Sequence, residues 1–158
     1  MTAFTDVMAG VPTPVSVVTA MDGDRPHGTT VSAFASLSLT PPMLLVSLDR
    51  RSDLLTLVRA SGRFGVNVLS REQAAVAKAF AVKGASKFDG IAWRPANDLP
   101  RLDGVSGWLA CEVSDLVDGG DHVVALGTVL AAESSGLAPL TYHARSFGTH
   151  VTFEGVAT

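Results

Sequence analysis

Polar and apolar positions alternate along much of this chain, most densely in the segment GTTVSAFASLSL at 28–39. Successive side chains of a strand point to opposite faces. Val31, Ala33, Ala35, Leu37 and Leu39 are therefore predicted on one face and Thr30, Ser32, Ser36 and Ser38 on the other, with only Phe34 out of phase. An apolar face backed by hydroxyls describes either the wet side of a half-buried sheet or a wall that holds a polar ligand. Ahead of it, 15–20 is rich in β-branched residues and reads as a strand, and 21–25 supplies the turn of a hairpin. Behind it, Pro41 and Pro42 force a break, and the nearly continuous apolar run 43–48 predicts a strand buried on both faces in the middle of a sheet.

Helical spacing takes over in three places. Phe4, Val7, Met8 and Val11 predict a short helix over 2–11, which Pro12 and Pro14 end. Ser52 is placed to N-cap a second helix, with Asp53 in its first turn, Leu54, Leu55 and Val58 as its stripe and Gly62 closing it. A strand is expected at 63–69. Ser70-Arg71-Glu72-Gln73 then reads as a capping box for a third helix, with a stripe through Ala74, Ala77 and Phe80. A loop follows at 83–90. Segments 107–116 and 122–132 predict two antiparallel strands joined by 117–121, and 140–144 a last short one. About six strands with only short helices between them predict a mainly β fold, an antiparallel barrel with peripheral helices, rather than a doubly wound sheet. One domain over 1–158 accommodates all of it.

Composition adds a partner. With 47% hydrophobic residues and a mean hydropathy of +0.32, the chain is apolar for a monomer, yet its apolar runs are too short to span a bilayer. A buried homo-oligomer interface is expected rather than a membrane segment. A net charge of −3 excludes the basic stripe of a sequence-independent nucleic-acid binder. The first residues lack the basic start and apolar core of a secretory signal, and Cys111 is the single cysteine. Both lead to an expected cytoplasmic location.

The candidate chemistry is anion binding. Arg50-Arg51-Ser52 immediately precedes the predicted second helix, whose free N–H groups favour a phosphate; an ordinary capped helix with two solvated arginines would read the same. Lys87-Phe88 sets a cation beside a ring that can stack on a heteroaromatic base. His122 shares a face with Val124 and Leu126, as a half-buried histidine or as a ligand-positioning group at a barrel rim. Tyr142 and Ala144 are expected on one face of the last strand, and His143 and Arg145 on the other. No paired histidine spacing or CxxC suggests a metal site. Cys111 alternates with Leu109 and Val113 and reads as core. Neither a GxGxxG after a strand nor a P-loop is present, so a nicotinamide cofactor must bind some other way.

PVSVVTA (14–20), GTTVSAFASLSLTPP (28–42), RRS (50–52), FGVNVLS (64–70), SKFDG (86–90), GDHVVALGTV (120–129) and PLTYHARSF (139–147) together resemble the short-chain flavin reductases that serve two-component flavin-dependent monooxygenases. The resemblance runs from Thr13 to about Phe147 and is most specific at TVSAFASLSL followed by PP. It implies the FMN-binding split barrel, as a homodimer with flavin near the interface. By the same resemblance, Thr30, Val31, Ser32, Ala33, Ser36, Leu37 and Ser38 lie against the flavin ring and ribityl chain. Arg50, Arg51, Ser52, Lys87 and Phe88 hold phosphate or adenine, and His122, Tyr142 and Arg145 approach the nicotinamide. The implied activity is hydride transfer from NADH, or NADPH, to FMN or FAD, with reduced flavin supplied to a partner monooxygenase. A split-barrel module that keeps its flavin tightly and turns over no pyridine nucleotide is the alternative.

Overall fold

In the computed structural model, which describes residues 2–155, the chain runs α1 (Thr2–Ala9), β1 (Thr13–Pro14), β2 (Ser16–Asp22), β3 (Arg25–Val31), β4 (Phe34–Leu39), β5 (Pro42–Asp49), α2 (Asp53–Ser61), β6 (Arg63–Val68), α3 (Ala74–Ala81), β7 (Trp93–Ala96), β8 (Leu99–Leu102), β9 (Gly107–Gly119), β10 (His122–Ser134), β11 (Leu140–His143) and β12 (Ser146–Thr149). Seven strands form one antiparallel sheet in the order β3-β2-β6-β9-β10-β5-β4. The sheet curls until β3 stands beside β5 without joining it in a ladder, leaving a barrel with a slit. The mainly β expectation holds, with more strands than foreseen: β7–β8 and β11–β12 are hairpins, and the sequence pattern revealed only the first strand of the second.

The alternating segment 28–39 is not one strand. β3 ends at Val31, Ser32 and Ala33 carry the chain across the slit, and β4 begins on the opposite edge of the sheet. A register shift between Ser36 and Ser38 inserts one extra residue, Leu37, opposite β5. The crossing and the bulge break the simple two-residue phase. The apolar face expected at Ala33, Ala35, Leu37 and Leu39 is exposed, Leu39 at 90%.

Burial on both faces belongs to β2 rather than to β5. Along β5 the buried residues alternate, Leu44, Val46 and Leu48 facing inward and their neighbours half-buried. In β2 residues 16–20 are all buried, because Val18 and Ala20 face the barrel interior with Phe64, Val66 and Val46 while Val17 faces a second core built on Phe80, Leu102 and Trp108. Asn67, fully buried on β6, ties this second core together: Nδ2 donates to Val17 O (3.1 Å) and Pro100 O (3.3 Å), and Oδ1 accepts from Leu102 N (2.8 Å).

Local signals near the site are mostly as read. Ser52 caps α2, its Oγ accepting from Leu55 N at 3.1 Å, and Gly62 closes it at φ 68° while donating to Val58 O. The capping box is only half formed. Gln73 Oε1 accepts from Ser70 N (3.0 Å), Ser70 itself bridges to Pro139, and α3 starts at Ala74. Ala144 and Arg145 both have positive φ (49° and 61°) and form the β11–β12 turn, so they do not alternate as a strand.

Candidate functional site

Three cavities meet at the slit. The central one, about 200 Å³, is walled by residues 29–33, by Ser47, Leu48 and Asp49 of β5, and by Ser52 and His122. It shares Thr30 and Ser32 with a cavity of about 590 Å³ that continues past Val15, Ala77, Lys78 and Ala81 to Tyr142, Arg145, Ser146 and Phe147. It shares Thr29, Asp49 and Ser52 with one of about 400 Å³ that passes Arg51, Lys83 and Lys87 beside the start of α2. Shared walls make them one trough: aromatic and aliphatic with Lys78 and Arg145 at the β11–β12 end, hydroxyl-lined in the middle, and richest in cations at the α2 end, where Arg51, Lys83 and Lys87 stand beside Asp49 and Asp53.

Of the residues singled out above, the trough collects Thr30, Val31, Ser32, Ala33, Arg51, Ser52, Lys87, His122, Tyr142 and Arg145. The others lie elsewhere in this chain. Ser36, Leu37 and Ser38 sit on the edge strand β4. Phe88 packs edge-on against Phe80 (ring centroids 4.8 Å apart) and Trp93 (5.8 Å). Arg50 turns to the β9–β10 turn, donating to Asp118 Oδ1 at 2.8 Å and Gly120 O at 2.7 Å. Thr29, His27, Ser47, Asp49, Lys83 and the end of α3 line the trough and went unread. Thr29 carries a signal, as one more hydroxyl in the same run; the rest are brought in by the curl of the sheet.

The middle of the trough fits a ligand rich in acceptors. Among the described residues the backbone N–H groups of Ser32 and Ala33 donate to no backbone carbonyl, since only the Ser32 and Ala33 carbonyls are engaged, by Phe34 N (3.1 Å) and Ser47 N (2.9 Å). Exposed donors held by rigid strands are preorganised for an anion or carbonyl. Thr30 Oγ1 donates to Ala77 O at 2.6 Å and fixes α3 against β3.

The cationic end is tuned by its neighbours. Lys87 Nζ donates to Gly28 O (3.1 Å), Thr29 Oγ1 (3.2 Å) and Phe80 O (3.2 Å), closing α3 onto β3. Burial lowers its pKa, with Asp53 opposing. Burial first, and then the Lys87 charge, also lower the pKa of His27, so its imidazole is neutral at pH 7. Burial pushes the Cys111 thiol up to about 12, which leaves it inert in the core.

Arg51 donates to Asp49 through its guanidinium (3.1 Å) and backbone N–H (2.8 Å), holding the exposed carboxyl at about 2 against the usual 3.8. A folded-state value below the unfolded one means the contact favours folding above about 3.8 and is lost as pH falls through about 2. Carboxyl NMR is expected to show Asp49 titrating near 2 and Arg51→Met moving that midpoint back toward 3.8.

Known proteins resemble this chain in sequence and in fold. Residues 8–150 match the family model described as flavin reductase like domain. A probable flavin reductase of Rhizobium meliloti (strain 1021) is 39% identical over 142 residues, 89% of this chain, which spans 46% of that protein's length. An NADH:riboflavin 5′-phosphate oxidoreductase of Streptomyces pristinaespiralis is 37% identical over 153 residues, 93% of this chain and 86% of that one. The crystal structure of a nitrilotriacetate monooxygenase component B from Mycobacterium thermoresistibile superposes with a TM-score of 0.93 at 31% identity, covering 99% of this chain and 90% of that one.

Proposed function

We propose that this chain, which belongs to the flavin reductase-like domain family, is an NAD(P)H:flavin oxidoreductase that supplies reduced flavin to a partner flavin-dependent monooxygenase. The observation that carries the reading is the order of chemistries along the trough. The cationic end beside the Ser52 cap suits the flavin phosphate, and the hydroxyls of Thr29, Thr30 and Ser32 with the N–H groups of Ser32 and Ala33 suit the ribityl chain and the polar edge of the ring. The larger cavity, with Tyr142, Arg145 and Phe147 on its wall, suits the reduced nicotinamide nucleotide. Bound together, the two cofactors supply the chemistry themselves, a hydride passing from nicotinamide C4 to flavin N5.

What the chain contributes is position. The walls of the slit would hold the two cofactor rings together and shield them from water. With flavin bound, the Ser32 and Ala33 N–H groups would hold the polar edge of its ring and stabilise negative charge there. No side chain is required as acid, base or nucleophile. His122, its Nδ1 2.7 Å from Asp121 Oδ1, lines the central cavity rather than the nicotinamide one, so its contact would be with the flavin side.

Anaerobic mixing of purified protein with NADH and excess flavin tests the reading. Repeated bleaching of the oxidised-flavin band, many flavins per protein, is expected. Stoichiometric flavin that survives purification and is not bleached by NADH or NADPH would instead make the chain a flavin-holding module. Ser52→Ala is expected to weaken flavin binding about fivefold, near 1 kcal/mol, by titration of flavin fluorescence. The same substitution removes the α2 cap and is expected to lower stability by about 1 kcal/mol in urea melts.

The working form is a cytoplasmic homodimer. Support comes from large apolar side chains left in water by one copy: Leu39 at 90%, Phe153 at 86%, Val7 at 69% and Phe4 at 61% exposure. Sedimentation equilibrium is expected to return twice the chain mass of 16.4 kDa. Among the described residues no helix is long and apolar enough to cross a membrane.

A further inference from the structure

Two of the three cations at the α2 end of the trough are already engaged by the protein itself. Lys87 donates to Gly28 O, Thr29 Oγ1 and Phe80 O. Arg51 donates to Asp49 through Nε at 3.3 Å, Nη2 at 3.1 Å and its backbone N–H at 2.8 Å. Lys83, alone of the three, has no hydrogen-bond or ion-pair partner among the described residues. We propose that Asp49 is a specificity-determining residue: it detains Arg51, so that the site recognises a flavin by its ring and ribityl chain and gains little from a terminal phosphate. The proposal rests on the flavin-reductase reading and adds to it the weight the site gives to phosphate.

Asp49 lines both the central cavity and the cationic one, so its carboxylate stands where a ribityl chain would give way to a phosphate. A carboxylate accepts from ribityl hydroxyls, which are donors, and repels a phosphate, which carries its own negative charge. The Nε–Nη2 edge of Arg51, which could grip a phosphate bidentately, already grips Asp49. The same contact holds the Asp49 carboxyl at about 2, so the detaining charge is present throughout the neutral range. Asp53, in the first turn of α2, puts a second carboxylate on this wall. The clamp is open to water, with the Arg51 side chain 80% exposed and that of Asp49 40%. Removing one charge therefore frees the other without leaving it buried and unpaired. A light grip on phosphate also suits a flavin that must leave once it is reduced.

The test is titration of flavin fluorescence with riboflavin and with FMN, which differ only in the phosphate. The readout is the ratio of the two dissociation constants, in which any change common to both cancels. In the unaltered protein FMN is expected to bind less than about fivefold more tightly than riboflavin. Asp49→Asn keeps an oxygen for the Arg51 backbone N–H while removing the charge, and should widen that ratio at least about fivefold in favour of FMN. Arg51→Met should change the ratio less than about threefold by itself and abolish the gain when combined with Asp49→Asn, a coupling that a merely structural role for Asp49 would not produce. Riboflavin binding reports that each variant is folded; should Asp49→Asn not fold, the ratios of the unaltered protein and of Arg51→Met decide. A larger preference for FMN in the unaltered protein, a larger loss in Arg51→Met, a smaller gain in Asp49→Asn, or a gain that survives the loss of Arg51 would each overturn the proposal and leave the flavin reading standing. If neither flavin binds the unaltered protein, the flavin reading goes, and the proposal with it.

Discussion

Gly65→Ala is expected to destabilise the protein by about 3 kcal/mol, the upper end for overpacking a core. A Cβ at this position would press on Trp108 Cη2 and stand 2.6 Å from Thr19 Oγ1. Neither neighbour can yield. Trp108 is 1% exposed at the centre of the second core, and Thr19 Oγ1 is held by its hydrogen bond to Pro100 O at 2.7 Å. For a domain of this size the loss corresponds to a fall of roughly 10 °C in Tm, read by circular dichroism. Gly107→Ala is the matched control. Its added carbon would meet Val68 Cβ at 3.6 Å, an ordinary contact, and a change within about 0.5 kcal/mol is expected. Equal Tm values for the two variants would mean that the Trp108 ring is not locked as described.

Ser32→Trp is expected to have the largest effect on activity, lowering kcat/KM for flavin reduction about 100-fold, close to 3 kcal/mol of transition-state binding. Ser32 is exposed, belongs to neither β3 nor β4, and lines both the central cavity and the one of about 590 Å³. An indole there fills the neck where the two rings must meet, and it costs little in stability because no packed neighbour is displaced. Stopped-flow reduction and a thermal melt on the same preparation separate lost activity from lost fold. Ser36→Trp, on β4 outside these cavities, is the comparison that decides which part of TVSAFASLSL faces flavin. Activity lost at Ser36 and kept at Ser32 would move the flavin along β4.

The site was only partly readable from the chain. Ser52 was readable because a cap is a three-residue device: hydroxyl, N-terminal turn and the Leu55 N–H it accepts from. Thr30 and Ser32 stood out as part of a hydroxyl row, which alternation left open between a wet sheet face and a ligand wall; the resemblance alone set them against flavin. Arg50 was not, because its partner Asp118 lies 68 residues away and meets it only when β10 pairs with both β5 and β9. Phe88 likewise looked like a stacking surface until α3 and β7 enclosed it. Lys87 lines the trough as expected, yet its ammonium is also spent on the carbonyls that end α3 and on β3.

The sequence by itself determined what nearest neighbours decide: the β2–β3 turn, the α2 cap and its glycine stop, the mainly β class and the family that the motifs resemble. These rest on backbone preferences and contacts a few residues apart, which act wherever the segment lies. Tertiary structure decided the rest. It set the crossing at Ser32 and Ala33 that puts β3 and β4 on opposite edges, the slit between β3 and β5, and the joining of cavities that share walls from seven elements. The physical reason is closure. A curling sheet can leave a gap only where its two ends fail to pair, and which strands become those ends depends on every ladder between them.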